Sequence, residues 1–126
     1  TWQVIARLGR QRQRAILPDE QAVRGVNPDF RALKTLNLFL TIVTAPGSEQ
    51  EIASRVFCPS VGIDEDPVTG AAHAALVPFW AERLGRHRFT ALQASKRTGV
   101  LDCELQGDRV ILGGHAVTVI EGYFQI

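Results

Sequence analysis

Thr69-Gly70-Ala71-Ala72-His73-Ala74-Ala75-Leu76-Val77-Pro78-Phe79-Trp80-Ala81-Glu82-Arg83-Leu84-Gly85 reads as one helix between a start and a stop signal. Thr69 carries the side-chain oxygen of an N-cap, and Gly85 suits the left-handed position that closes a helix. Ala72, Ala75, Leu76, Phe79 and Trp80 form a wide apolar face. Such a face predicts a central helix over 70–84 with protein around it. Pro78 removes one backbone donor and predicts a kink.

The flanks are mostly β. After Gly85, residues 89–94 form one strand, and 100–105 form another with Leu101, Cys103 and Leu105 on one face. Gly107-Asp108 is a tight turn, 110–112 return, and 116–124 close the chain as a last strand. Upstream, 38–44 (LFLTIVT) are continuously apolar and β-branched, as in a strand buried on both faces. Residues 2–8 and 14–17 are strands joined by a turn at 9–13, and Pro18 stops the second. Asp19 caps a short helix through Val23, ended by Gly25. Asn27-Pro28 starts another, with Phe30, Leu33 and Leu36 on one face. Pro46-Gly47-Ser48 is a loop, 55–58 a short strand and 59–70 a long loop. The sum is one α+β domain over 1–126 whose strands cover one main helix.

Composition narrows the function classes. The 126 residues hold 14 Lys and Arg against 13 Asp and Glu, a net charge of +1. That balance argues against a nucleic-acid partner. Hydrophobic residues at 45% and charged residues at 21% are globular proportions. A chain of this length buries roughly two-thirds of its unfolded surface and needs no staple. No apolar run approaches the ~20 residues that span a bilayer, so no membrane partner is expected. The N-terminus lacks a signal-peptide layout, and Cys58 and Cys103 make no disulfide framework. A reducing, cytoplasmic setting follows as the expectation. The chain has no methionine, which implies a removed initiator or a longer product. Arg10, Arg12 and Arg14 alternate as one wet or edge-strand face would.

Chemistry concentrates in Gly62-Ile63-Asp64-Glu65-Asp66-Pro67-Val68-Thr69-Gly70-Ala71-Ala72-His73. A helix start offers unpaired N–H groups and a partial positive charge, a place for a carboxylate. Gly70 and Ala71 leave room for one to approach. Asp66, just before the helix, can bond a ligand hydroxyl or amine, or relay a proton. The plainer reading is that Asp66 and Thr69 only cap the helix. Asp64, Glu65 and Asp66 are oxygen ligands for a hard cation, but Pro67 and Val68 break any EF-hand spacing, so no metal is expected. His73, in the first turn, is either a neutral base or a packed polar residue. His115, His87 and Ser95-Lys96-Arg97-Thr98 read as turn or solvated residues, and the cysteines as small core residues.

Residues 54–121 resemble the PhzF-like isomerase/epimerase family of phenazine biosynthesis. The resemblance is carried by Arg55-Val56-Phe57-Cys58-Pro59, by Gly62 to His73, and by Ala75-Leu76-Val77-Pro78-Phe79-Trp80-Ala81. Gln93-Ala94-Ser95, Gly107-Asp108-Arg109-Val110 and Ala116-Val117-Thr118-Val119 continue it. The Asp-Pro-x-Thr-Gly element is its most specific part, and residues 1–54 are similar to the same family more loosely. The resemblance implies a diaminopimelate-epimerase-like half, with a mixed or antiparallel sheet wrapped around the helix at 70–84. It implies that Pro78 belongs to the helix. It implies a second (C-terminal) domain alone, without the first-domain glutamate and Gly-His element that move the proton in the family. Ala71 stands where the family often has Ser.

Together these readings give a half-domain that binds a small carboxylic acid at the start of the helix. Asp66 and His73 are the expected acid and base, and Asp64, Thr69, Gly70 and Ala71 the expected substrate contacts. The expected reaction is a cofactor-independent isomerisation or epimerisation by proton transfer in a homodimer. The alternative is a non-catalytic module or split subunit that needs a separate first domain.

Overall fold

In a computed structural model of the chain, residues 3–7 are described by their backbone and residues 12–126 in full. The order of elements is β1 (Gln3–Arg7), β2 (Arg12–Ile16), α1 (Glu20–Arg24), α2 (Phe30–Thr35), β3 (Leu40–Pro46), β4 (Ile52–Cys58), β5 (Ile63–Glu65), α3 (Gly70–Leu84), β6 (Arg88–Gln93), β7 (Gly99–Gln106) and β8 (Arg109–Gly113). The strands form one mixed sheet in the order β1-β2-β3-β4-β6-β7-β8, with β5 paired to β4 off this path. The β2–β3 and β4–β6 pairs are parallel, and the others are antiparallel.

β3 shows why the pairing takes this form. Leu40 and Ile42 face one core with Ile52, Val56, Leu76, Val77, Trp80 and Phe89. Val43 and Ala45 face a second core with Leu17, Val23 and Phe57, under α1 and α2. A strand apolar on both faces needs cover on both. α3 supplies one cover, and its Trp80 indole N–H donates to Thr44 Oγ1 over 3.0 Å while that hydroxyl donates to the Ala53 carbonyl over 2.8 Å. One buried threonine therefore ties the helix to β3 and β4.

Local signals act much as their chemistry predicts. Asp19 Oδ1 accepts from the Ala22 N–H at 2.8 Å, and Asp29 Oδ1 from the Ala32 N–H at 3.0 Å. Thus Asp29, not Asn27-Pro28, caps α2. Gly85 closes α3 at φ 66. Pro78 sits inside α3 without ending it, at an exposed position.

Four expectations are corrected. The 59–70 loop contains a 3-10 turn at Pro59–Val61 and the strand β5. β2 begins at Arg12 rather than within a turn ending at 13; residues 8–11, with Arg10, lie outside the described residues. Arg14 is not a wet face: it is only 7% exposed, and its guanidinium lies 4.0 Å from the Phe79 ring centre. Burial, then the nearby Arg83, pulls its pKa down. Finally, 116–124 form no strand, and among the described residues none pairs with them. No helix among the described residues is long and apolar enough to cross a membrane.

Candidate functional site

The turn before α3 is held from β6. Gln93, fully buried at the end of that strand, accepts from the Thr69 N–H at 2.7 Å. Its amide donates to the Asp66 carbonyl at 2.7 Å and to Thr69 Oγ1 at 3.0 Å. Thr69 Oγ1 donates in turn to Asp66 Oδ2 at 2.6 Å. Ser95 Oγ donates to the Pro67 carbonyl at 2.8 Å. Thr69 thus occupies the N-cap position without capping: its hydroxyl is spent on Asp66, and no side chain bonds the helix start through it. The first N–H groups of α3, at Gly70 and Ala71, therefore stay open at an exposed surface.

A cleft of about 460 Å³ opens at this point. Val68, Gly70, Arg97, Gly99, Leu112 and His115 line it. Gly99 is required by close approach, because a Cβ there would meet Val68 Cγ2 at 2.3 Å. Thr98, also on the wall, has φ 60, a left-handed conformation unusual for a β-branched residue. Arg97 also borders a second cleft of about 410 Å³ with Glu65, Pro67, Ser95 and Lys96. One exposed guanidinium therefore lies between two hollows that flank the Asp66–Gly70 turn. A helix start, an arginine and a histidine around a small hollow can hold a carboxylate.

The expected site residues separate on this map. Gly70 is on the cleft wall, and Ala71 is exposed beside it. Asp66 is half-buried and Thr69 buried; both belong to the clamped turn. Asp64 is exposed on β5. Glu65 is engaged elsewhere, accepting from Arg55 Nε at 2.8 Å and Arg55 Nη2 at 2.9 Å. Arg97 and His115, read from sequence as turn residues, both reach the cleft, and Gln93 and Ser95 hold its rim. Two signals point to Gln93: it is a polar residue near the end of an apolar strand, and Gln93-Ala94-Ser95 is part of the family resemblance.

His73 is fully buried. Nδ1 lies 2.8 Å from the Thr69 carbonyl, which can only accept, so Nδ1 carries the hydrogen. Nε2 faces Ser54 Oγ at 3.4 Å. Burial lowers the His73 pKa below its ordinary 6.5, partly opposed by the bond to Thr69. A depressed folded pKa means that the unfolded chain takes up the proton first. Stability is thus fully present above about pH 6.5 and falls as pH drops below it, by at most about 1.4 kcal/mol per pH unit for one proton. Thermal unfolding from neutral to mildly acid pH checks this. The acid decline in Tm becomes shallower in His73→Gln.

Cys58 and Cys103 are buried and unpaired. Burial pushes Cys103 up to about 11, far from a reactive thiolate. Among the described residues, no group of three or more His, Cys, Asp or Glu is placed to hold a metal ion.

The model of the phenazine biosynthesis-like protein family matches residues 3–122. The chain belongs to this family. An uncharacterised isomerase of Pseudomonas aeruginosa is 49% identical over 111 residues, 88% of this chain and 42% of that protein. A human phenazine biosynthesis-like domain-containing protein is 43% identical over 93 residues, 71% of this chain and 32% of that one. The crystal structure of a PhzF-family protein from Enterococcus faecalis superposes with a TM-score of 0.82 at 45% identity, over 90% of this chain and 44% of its own. A Clostridium difficile PhzC/PhzF protein gives 0.81 at 38% identity, over 91% and 45%. The α+β fold is thus the PhzF-family fold, and the chain spans less than half the length of these relatives. Homologues described as isomerases, the Pseudomonas protein among them, support a general isomerase-like family.

Proposed function

We propose that this chain is one half of a cofactor-independent isomerase or epimerase that binds a small carboxylic acid at the start of α3. The observation that carries the reading is the cleft at Gly70, where open helix-start N–H groups meet Arg97 and His115. The substrate carboxylate sits against the Gly70 and Ala71 amides, with Arg97 as its charged partner. Asp66, oriented by Thr69, takes a proton from the carbon beside that carboxylate and returns it to another position or face. Asp64 stands at the outer rim. His73 acts as a positioning residue, since burial and its bond to Thr69 keep it from the cleft. The working form is a homodimer, in which a two-fold axis brings two such turns face to face and closes them from water.

Titration with small cyclic hydroxy and amino acids, followed at the Gly70 amide, tests binding. The expected result is a saturable shift that Arg97→Gln weakens about tenfold or more, since a charge-assisted bond contributes about 1.5–3 kcal/mol. Deuterium uptake from solvent into the bound acid tests chemistry, and Asp66→Asn should abolish it while binding persists. No shift at saturating ligand sinks the proposal.

The limited coverage of its relatives favours a second reading, a subunit that needs a separate first domain. Deuterium uptake that begins only when the unmatched portion of the Pseudomonas relative is added would establish that reading instead.

A further inference from the structure

Arg55 on β4 binds two parts of the fold at once. Its Nε donates to Glu65 Oε1 at 2.8 Å and its Nη2 to Glu65 Oε2 at 2.9 Å, a bidentate pair. Its Nη1 donates to the Val26 carbonyl at 2.7 Å, and at 3.4 and 3.3 Å to the carbonyls of Val23 and Arg24. Those carbonyls lie at the end of α1, where the helix dipole favours a cation. The guanidinium also stands 5.0 Å from the Phe57 ring centre. The side chains of Arg55 and Glu65 are only 13% and 20% exposed, so this is not a loose surface pair. A planar fork can serve a carboxylate and a helix end together, which a lysine ammonium cannot.

Glu65 is the last residue of β5, the strand that leads into the Asp66–Gly70 turn. It also lines the hollow of about 410 Å³ that Lys96 and Arg97 border. Among the described residues, neither Lys96 nor Arg97 has a carboxylate within ion-pair reach. A carboxylate and a guanidinium on the wall of one small hollow attract each other unless something holds them apart.

We propose that Arg55 is a positioning residue for the acid site: by taking both oxygens of Glu65 it keeps that carboxylate off Arg97 and leaves Arg97 for the ligand. This rests on the carboxylate reading above and says what keeps that site cationic. Without Arg55, Glu65 becomes an internal anion that competes with the substrate carboxylate for one guanidinium. The α1 carbonyls hold Arg55 from the other side, so the pair cannot drift as a unit toward the hollow.

NMR of the arginine Nε–H groups tests this first in the unaltered chain. The expected result is an Arg55 Nε–H that exchanges with water at least ~10-fold slower than that of Arg97. Equal rates, or a slower Arg97, overturn the proposal. In Arg55→Gln the Arg97 Nε–H signal should shift as Glu65 reaches it. Acid affinity at the Gly70 amide should fall about two- to fivefold, the range of an exposed ion pair. Adding Glu65→Gln to that variant removes the competitor and should restore both the signal and the affinity. An affinity loss that the second substitution does not restore means that Arg55 acts through the fold alone, and overturns the proposal. So does an Arg97 signal that stays put in the single variant. Should Arg55→Gln fail to fold, Arg55→Lys, which keeps a charge but not the fork, carries the same readouts with smaller changes. An unaltered chain that binds no acid sinks the carboxylate reading. The Arg97 signal needs no ligand, and still decides whether Arg55 withholds Glu65.

Discussion

Gln93→Leu is expected to destabilise the protein by about 2–6 kcal/mol and to erase ligand binding. The side chain is fully buried and satisfies the Thr69 N–H, the Asp66 carbonyl and the Thr69 hydroxyl at once. Leucine fills the volume but leaves the buried N–H and the carbonyl without partners, at about 1–3 kcal/mol each. The Asp66–Gly70 turn then keeps the Ser95 bond to the Pro67 carbonyl and the Asp66 N–H bond to the Val56 carbonyl, neither of which reaches Thr69. Because the turn sets the open amides of α3, the Gly70 ligand shift should vanish even where the domain stays folded. Urea unfolding measures the first effect and the Gly70 amide titration the second. A variant that loses stability yet binds normally would show that Gln93 supports the fold alone.

Trp80→Ala should cost about 3–5 kcal/mol of stability through lost packing. The indole is 3% exposed and packs between α3 and the sheet, edge-on to Phe79 at 5.3 Å. Its N–H also holds Thr44 Oγ1. Trp80→Phe separates the two contributions, since it keeps most of the packing and loses the hydrogen bond, at about 1 kcal/mol. Against a total stability of about 5–15 kcal/mol, the alanine change removes a large share. Equilibrium unfolding of the two variants checks the ranking. Equal losses would mean that the hydrogen bond outweighs the packing.

The expected fold was carried by signals that act over a few residues. Caps at Asp19 and Gly85, and the apolar run of β3, each have a local physical cause, and each appears in the structure. Boundaries moved where pairing overrode composition. Arg12 and Gln13 look like turn residues, yet β2 pairs them with Leu40 and Thr41 of β3. Ile63 to Glu65 look like loop, yet they pair with β4.

The residues of the candidate site divide in the same way. Gly70 and the open helix start follow from a strong start signal, which any reading of 69–85 contains. Arg97 and His115 do not, because each lies in a polar turn and only the approach of β7 and β8 to α3 brings both to one hollow. His73 seemed suited to chemistry from its place in the first turn, but the way α3 faces the sheet buries it against Ser54. The sequence by itself determined most of the elements, the central helix and the family, through capping, periodicity and a specific motif. Only the tertiary structure decided which polar side chains meet, which are buried, and that residues 116–126 pair with no strand among the described residues. Those outcomes depend on contacts between residues far apart in the chain, which local patterns do not encode.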